Sequence, residues 1–175
     1  VLVKIHSASV NPLDWHLMRG EPFIARLTAG FSKPKDPRLG ADIAGTVEAV
    51  GCNVTKFKVG DAVFGEIEKG GFAEYACVHP KLLELKPANI SFDEAAAVPV
   101  AGLTALQGLR NAGQIKSGQT VLINGASGGV GTYAVQIAKS FGAEVTGVCS
   151  TRNLEMVRSI GADHVIDYTQ EDFTQ

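Results

Sequence analysis

This sequence is short of several things, and each shortage excludes something. Its 175 residues hold three cysteines, Cys52, Cys77 and Cys149, far apart and with no C-x-x-C pair. That excludes a disulfide framework, and an odd, scattered set points to reduced thiols in a cytoplasmic setting. Charge of one sign is also lacking: 16 Lys and Arg against 18 Asp and Glu leave a formal net charge of −2. Neither nucleic acid nor an anionic membrane surface is expected as a partner. No apolar run approaches the roughly 18 residues of a membrane span, and no signal-peptide pattern is visible. What remains, 45% hydrophobic and 19% charged residues, is ordinary for a globular protein, with length for one sizeable domain or two small ones. Val1 opens directly in a strand-like run, and Gln175 follows soon after another, so the chain reads as a fragment.

Residues 1–90 read as mostly β with irregular connections. Strands are expected over 2–8, 43–50, 62–64 and 72–78, with turns at Gly51, Gly60-Asp61 and Gly70-Gly71. Asn11-Pro12-Leu13-Asp14 is a turn that starts a short helix through Arg19. The stretch 20–40 carries Pro22, Pro34 and Pro37 and reads as loop. Short strands at this spacing suggest a small barrel-like β domain.

The texture changes at Ser91, where Ser91-Phe92-Asp93-Glu94 has capping-box spacing. A helix to Val98 should break or kink at Pro99 and Gly102, and a second helix should run over 103–112 and close at Gly113. Then Val121–Ile123, a helix to Gly142, 144–148, a helix over 154–160 and 164–166 alternate as β-α-β-α-β, which implies a parallel sheet. In the first of those helices Val130, Ala134, Ile137, Ala138 and Phe141 are spaced to share one helical face.

Gly125-Ala-Ser-Gly-Gly-Val-Gly131 joins the first strand of that series to its helix. A lone glycine motif is weak, and the glycines could be structural. This one follows a strand, opens a helix and sits in a βαβ unit of about 30 residues, the context that holds a dinucleotide pyrophosphate on helix N–H groups. Ala126 stands at the first glycine position, with Gly128 and Gly131 at the others. About 20 residues on, an NAD site carries Asp or Glu for the ribose 2′-OH. Here the residues are Cys149-Ser150-Thr151-Arg152, with no carboxylate until Glu155. A hydroxyl and a guanidinium suit a 2′-phosphate and so NADPH, although Arg152 could be a solvated helix-start residue.

Asn-Pro-Leu-Asp at 11–14, Gly-Asp-Ala-Val-Phe at 60–64, Gly-Gly-Phe-Ala-Glu-Tyr at 70–75 and the 125–131 turn, in this order, resemble the quinone oxidoreductase (zeta-crystallin-like) branch of the medium-chain dehydrogenase/reductase superfamily. The resemblance covers essentially the whole chain. It implies an α/β fold: a GroES-like, β-rich catalytic domain at 1–90, without its N-terminal strand and C-terminal return, and the first half of a doubly wound Rossmann sheet at 91–175. It implies substrate bound between the two, and a homodimer at full length. Zinc relatives carry Gly-His-Glu where this chain has Gly40-Ala41-Asp42, and the four-cysteine lobe is absent after Phe64-Gly65-Glu66. No metal is therefore expected. His6, His79 and His164 read as structural or surface residues.

The activity implied is hydride transfer from NADPH to a small-molecule quinone or α,β-unsaturated carbonyl. These acceptors delocalise charge and do without a strong Lewis acid. The alternative is a non-catalytic, crystallin-like NADPH-binding protein. Catalytic candidates carried by the resemblance are Asn11, which could instead only shape its turn, His16, where some relatives have tyrosine, and Thr104, which could instead bond back within its helix. Cofactor candidates are the backbone of Ser127, Gly128, Gly129, Val130 and Gly131, with Ser150 and Arg152 on the 2′-phosphate. Tyr168 flanks the adenosine phosphate by the same resemblance, or packs. Asp14 and Asp42 fall in the family's cleft region, though Asp14 could merely cap its helix. Phe23, Leu27 and Phe31 suggest an apolar wall, and the fragment alone is expected to show little activity.

Overall fold

The computed structural model describes residues 1–30 and 36–174, in two compact units, Val1–Val100 and Ala101–Gln175. Phe31 and Pro34 lie outside the described residues.

In the first unit β1 (Leu2–Ser9), β2 (Asp42–Ala49), β3 (Ala62–Glu66), β4 (Tyr75–Cys77) and β5 (Glu84–Leu85) form one antiparallel sheet in the order β4-β1-β2-β3-β5. Alternation along the strands turns Val3, Ile43, Val47 and Val63 inward, where Phe57, Ile67, Val78 and Leu83 complete a closed apolar core. The register pairs Ser9 with Asp42. That single pairing brings the turn after β1 beside the start of β2, and the candidate site grows from it. Helix α1 (Pro12–Arg19) begins there with Asn11 as N-cap and Pro12 in the first turn, and Gly20 ends it at φ 62°.

Three expectations for this unit need correction. The strand expected over 72–78 shortens to β4, because the amides of Gly70, Gly71 and Phe72 bond to the carbonyls of Leu39 and Gly40 instead of a ladder. The two-residue β5 was not anticipated; it pairs Val63 with Leu85. The 20–40 loop is not wholly irregular, since a 3-10 turn (Phe23–Ala25) leads into one helical turn, α2 (Arg26–Ala29). The Arg26 guanidinium holds that turn by donating to the carbonyls of Gly20 and Arg19.

Helix α3 (Phe92–Ala96) starts at the capping box: Glu94 accepts the Ser91 amide at 2.7 Å and Ser91 Oγ accepts the Glu94 amide at 3.1 Å. The expected break before Pro99 is present, since α3 stops at Ala96. Pro99 itself opens the next helix, α4 (Pro99–Leu106), where the first turn needs no proline N–H. Gly102 lies inside α4 without interrupting it, and the chain widens into a π-helical segment, Gln107–Ala112, before Gly113.

In the second unit β6 (Thr120–Asn124), β7 (Glu144–Cys149) and β8 (His164–Asp167) are parallel and adjacent in that order, linked by α5 (Gly129–Ser140) and α6 (Leu154–Ser159). Ile123, Ala126, Val135, Ala138, Val145 and Val157 are among the residues of its core. The buried face of α5 is Gly131, Ala134, Val135 and Ala138, one step round from expectation, because Val130 is 41% exposed. Small residues on that face let the helix lie close to the sheet. The helix closes as a Schellman motif: Gly142 (φ 78°) donates to Lys139 O and Ala143 donates to Ala138 O.

Candidate functional site

In the first unit the polar residues of the Asn11 turn are buried, and burial obliges them to find partners. Asn11, Asp14 and Asp42 are 9%, 6% and 0% exposed. Asp42 Oδ1 accepts the Val100 amide at 2.9 Å; its Oδ2 accepts from Ser9 Oγ at 2.7 Å and Asn11 Nδ2 at 2.9 Å. Asp14 accepts the Asn11 amide at 2.8 Å and the Gly40 amide at 2.8 Å. It therefore caps α1 and also ties the helix to the strand entry. Asn11 Nδ2 also donates to Ser9 Oγ at 3.1 Å, so both amide hydrogens are spent inside the protein. Only Oδ1 is left to meet a ligand, and Asn11 can accept a hydrogen bond but not supply one.

His16 stands one turn further along α1. Its ring stacks on Trp15 at 3.7 Å, and its Nδ1 lies 2.8 Å from Glu21 O. A carbonyl only accepts, so Nδ1 carries the proton and neutral His16 presents the Nε2 lone pair. Donation from Nε2 requires the imidazolium. Of the expected apolar wall, Phe23 and Leu27 are 63% and 68% exposed.

In the second unit the glycine turn is built on close approach. The left-handed residue is Gly125 (φ 73°), which leaves Ala126 an ordinary backbone and explains why alanine is accepted there. Gly131 faces Gly125: a Cβ on it would lie 2.1 Å from Gly125 O and 2.8 Å from Ala126 Cα. The first main-chain bond of α5 runs from Thr132 N–H to Gly128 O. The amides of Gly129, Val130 and Gly131 precede it and have no main-chain acceptor among the described residues, the usual state of a helix start open to an anion.

Ser150 follows β7 and Arg152 lies in the 3-10 turn Thr151–Asn153. Arg152 is exposed, with no acidic partner among the described residues. Glu155 pairs with Arg158 at 2.6 Å. A second carboxylate escaped the linear search: the parallel register sets Asp167 opposite Cys149. Asp167 is 7% exposed and accepts from Thr151 Oγ1, Thr169 Oγ1 and the Thr169 amide. The Thr151 hydroxyl, foremost, holds its carboxyl below the usual range. With its oxygens so engaged, Asp167 is not offered to a ribose hydroxyl. Burial, and then Asp167, push the Cys149 thiol up, so it is no thiolate nucleophile. Tyr168 is 56% exposed beside it, with its amide bonded to Cys149 O at 3.2 Å. Thr104 is exposed, and no hydrogen bond of its hydroxyl back to the helix is present among the described residues. Asn153 was missed in the sequence, where it reads as an ordinary helix-start residue. Its Nδ2 donates to Ser127 Oγ and to Ser150 Oγ, each at 3.1 Å.

Residues 1–88 match the alcohol dehydrogenase GroES-like domain family, and residues 129–175 match the zinc-binding dehydrogenase family. The chain is 45% identical to the chloroplast envelope quinone oxidoreductase homolog of Arabidopsis thaliana, over 96% of this chain and 52% of that protein. It belongs to the medium-chain dehydrogenase/reductase superfamily and is quinone oxidoreductase-like. This medium-chain reductase-type chain is also 44% identical to the 2-methylene-furan-3-one reductase of Solanum lycopersicum, over 99% of this chain and 46% of that one. The quinone oxidoreductase from Coxiella burnetii superposes with a TM-score of 0.88 at 38% identity, covering 99% of this chain and 55% of its own. A mycobacterial protein complexed with NADPH has a TM-score of 0.83 at 29% identity, covering 98% and 51%. The chain thus spans about half the length of the relatives it matches.

The second family name raises a metal, and the donors can be tested against it. Among the described residues no three His, Cys, Asp or Glu side chains come together as ligands would. Asp42, at the position where zinc relatives carry glutamate, has both oxygens committed to protein donors. These residues do not fit a zinc ion. The glycine turn does fit a dinucleotide phosphate, since its open amides lie in the same unit as the Ser127 and Ser150 hydroxyls and an unopposed guanidinium. No described helix is long and apolar enough to cross a membrane.

Proposed function

We propose that this chain is part of an NADPH-dependent reductase that transfers hydride to a quinone or an α,β-unsaturated carbonyl without zinc. Residues 1–90 serve substrate chemistry and 91–175 hold the cofactor. The observation that carries the reading is the pairing of an open α5 start with Ser150 and unopposed Arg152 after β7, where no carboxylate is offered to a ribose. NADPH held there would supply the hydride, and its 2′-phosphate would be recognised by Ser150 and Arg152.

The amides of Gly129, Val130 and Gly131, with Ser127, meet the pyrophosphate, whereas the Gly128 amide expected to join them is spent on Gly125 O at 2.9 Å. Ser150 and Arg152 meet the 2′-phosphate, and Tyr168 covers the adenosine side. Asn11 orients a ligand through Oδ1. Thr104 offers a hydroxyl free to donate. His16, once protonated, returns a proton through Nε2. Quinone and enone oxygens take up charge by delocalisation, so neutral donors and one acid suffice. The names of the Arabidopsis and tomato relatives, a quinone oxidoreductase homolog and a furanone reductase, support that substrate class. Free Cys52, Cys77 and Cys149 support a reducing compartment such as the cytoplasm.

The test is NADPH oxidation by the complete protein across a panel of quinones and enones, with alcohols and simple ketones as controls. Turnover confined to the first two classes and unaffected by a chelator is expected. Saturable NADPH binding without turnover on any of them would replace this reading with the crystallin-like one.

A further inference from the structure

Asn153 stands at the N-cap position of α6, where an asparagine side chain ordinarily accepts an amide of the first turn. It makes no such bond. Its Nδ2 instead bridges two serines from different segments, Ser127 in the glycine turn and Ser150 at the end of β7. The main chain supports this position, because the Asn153 amide donates to Ser150 O at 2.9 Å.

A hydroxyl has one hydrogen to give and two lone pairs. When Asn153 Nδ2 occupies a lone pair on each serine, each hydroxyl hydrogen is left for something else. Neither serine donates to an acceptor among the described residues, and both are half-buried beside the open amides of α5. We propose that Asn153 is a positioning residue that sets both serine hydroxyls as donors toward anions, Ser127 toward the pyrophosphate and Ser150 toward a 2′-phosphate, and so favours the phosphorylated dinucleotide.

Asn153 touches no phosphate in this scheme and acts through the serines. Its removal leaves two hydroxyls free to turn inward. Its replacement by aspartate reverses the polarity, because a carboxylate accepts and draws both hydrogens away from the ligand. The gain over an unoriented hydroxyl is one of preorganisation, on the order of three- to tenfold in affinity.

The inference rests on the NADPH reading above, and a double-mutant cycle separates the two. NADPH and NADH dissociation constants are measured by nicotinamide fluorescence on the complete protein, native and with Asn153→Asp or Asn153→Ala, each repeated with Ser127→Ala/Ser150→Ala. Aspartate adds repulsion in both backgrounds, but reverses hydroxyls only where hydroxyls exist. The NADPH loss on Asn153→Asp is expected to be about tenfold larger in the native background than in the serine-free one. Asn153→Ala should weaken NADPH about threefold to tenfold in the native background, NADH by less, and neither once the serines are gone. Equal losses in the two backgrounds, or equal losses for NADPH and NADH with a lowered unfolding temperature, would reduce Asn153 to a structural residue. A native chain that binds NADPH while both Asn153 variants bind it normally overturns this inference alone. A complete native protein that binds no NADPH overturns the functional reading and this inference with it.

Discussion

Gly131→Ala puts the geometry of the glycine turn to a severe test, because two effects of opposite sign compete at one atom. Gly131 lies in the first turn of α5, where alanine is the better helix former by about 0.5–1 kcal/mol. Against that, the added Cβ would sit 2.1 Å from Gly125 O and 2.8 Å from Ala126 Cα, more than an ångström inside ordinary contact with the carbonyl. Both atoms belong to the main chain and cannot swing away, so the helix start must lift off the turn. Overpacking that forces backbone shifts costs about 1–3 kcal/mol, and this case belongs at the upper end. The clash wins, leaving a net loss of about 2 kcal/mol. In urea that lowers the unfolding midpoint by about 0.5–1 M, read by far-UV circular dichroism. Gly129→Ala is the control. Its Cβ would first meet Ala101 Cβ at 4.0 Å, so stability should hold or rise by up to about 1 kcal/mol. The displaced amides of α5 should also weaken NADPH at least about tenfold in Gly131→Ala. A Gly131→Ala midpoint equal to or above that of the native chain would refute the close-packing argument.

Three further outcomes are expected. Arg152→Ala should weaken NADPH by about tenfold to a hundredfold while leaving NADH nearly unchanged, the cost of one charge-assisted phosphate contact; equal effects on both would place Arg152 outside the cofactor site. Asp42→Ala strands the Val100 amide, Ser9 Oγ and Asn11 Nδ2, and should cost about 3 kcal/mol or more in denaturant unfolding; a near-neutral change would mean these donors find other partners. Asp163 is held below the usual carboxylate range, first by Lys139 at 2.8 Å and then by the Val145 amide. A lowered folded-state pKa stabilises above the unfolded value of about 3.9 and is lost as pH falls through the folded one. Asp163→Asn should therefore lower the urea midpoint at neutral pH and matter progressively less in acid; a deficit unchanged between pH 7 and pH 3 would contradict the assignment.

Local pattern carried much of the result. The βαβ alternation after Ser91, the capping box, the Gly142 stop and the glycine turn are all written in short windows, where propensity and covalent geometry act directly. The family followed from four such windows in order. The turn's one departure, Ala126, is tolerated because Gly125 takes the left-handed position and leaves it an ordinary backbone. Where windows misled, a distant partner had taken the main chain. Gly70–Phe72 left the β ladder to bond to Leu39 and Gly40, and Val130 turned outward because Gly131 had to face Gly125.

By itself, then, the sequence determined which segments fold, in what order, and that a phosphate turn is followed by a hydroxyl and an arginine instead of an acid. Only the tertiary structure decided what each polar group is still free to do. Pairing of Ser9 with Asp42 consumed the amide hydrogens of Asn11, the β7–β8 register buried Asp167 under threonine hydroxyls, and the return of the chain after β7 set Asn153 between two serines. The physical reason is the same in each case. A hydrogen-bonding group has few hydrogens and lone pairs, and residues far apart in sequence decide which of them are spent inside the protein and which are left for a ligand.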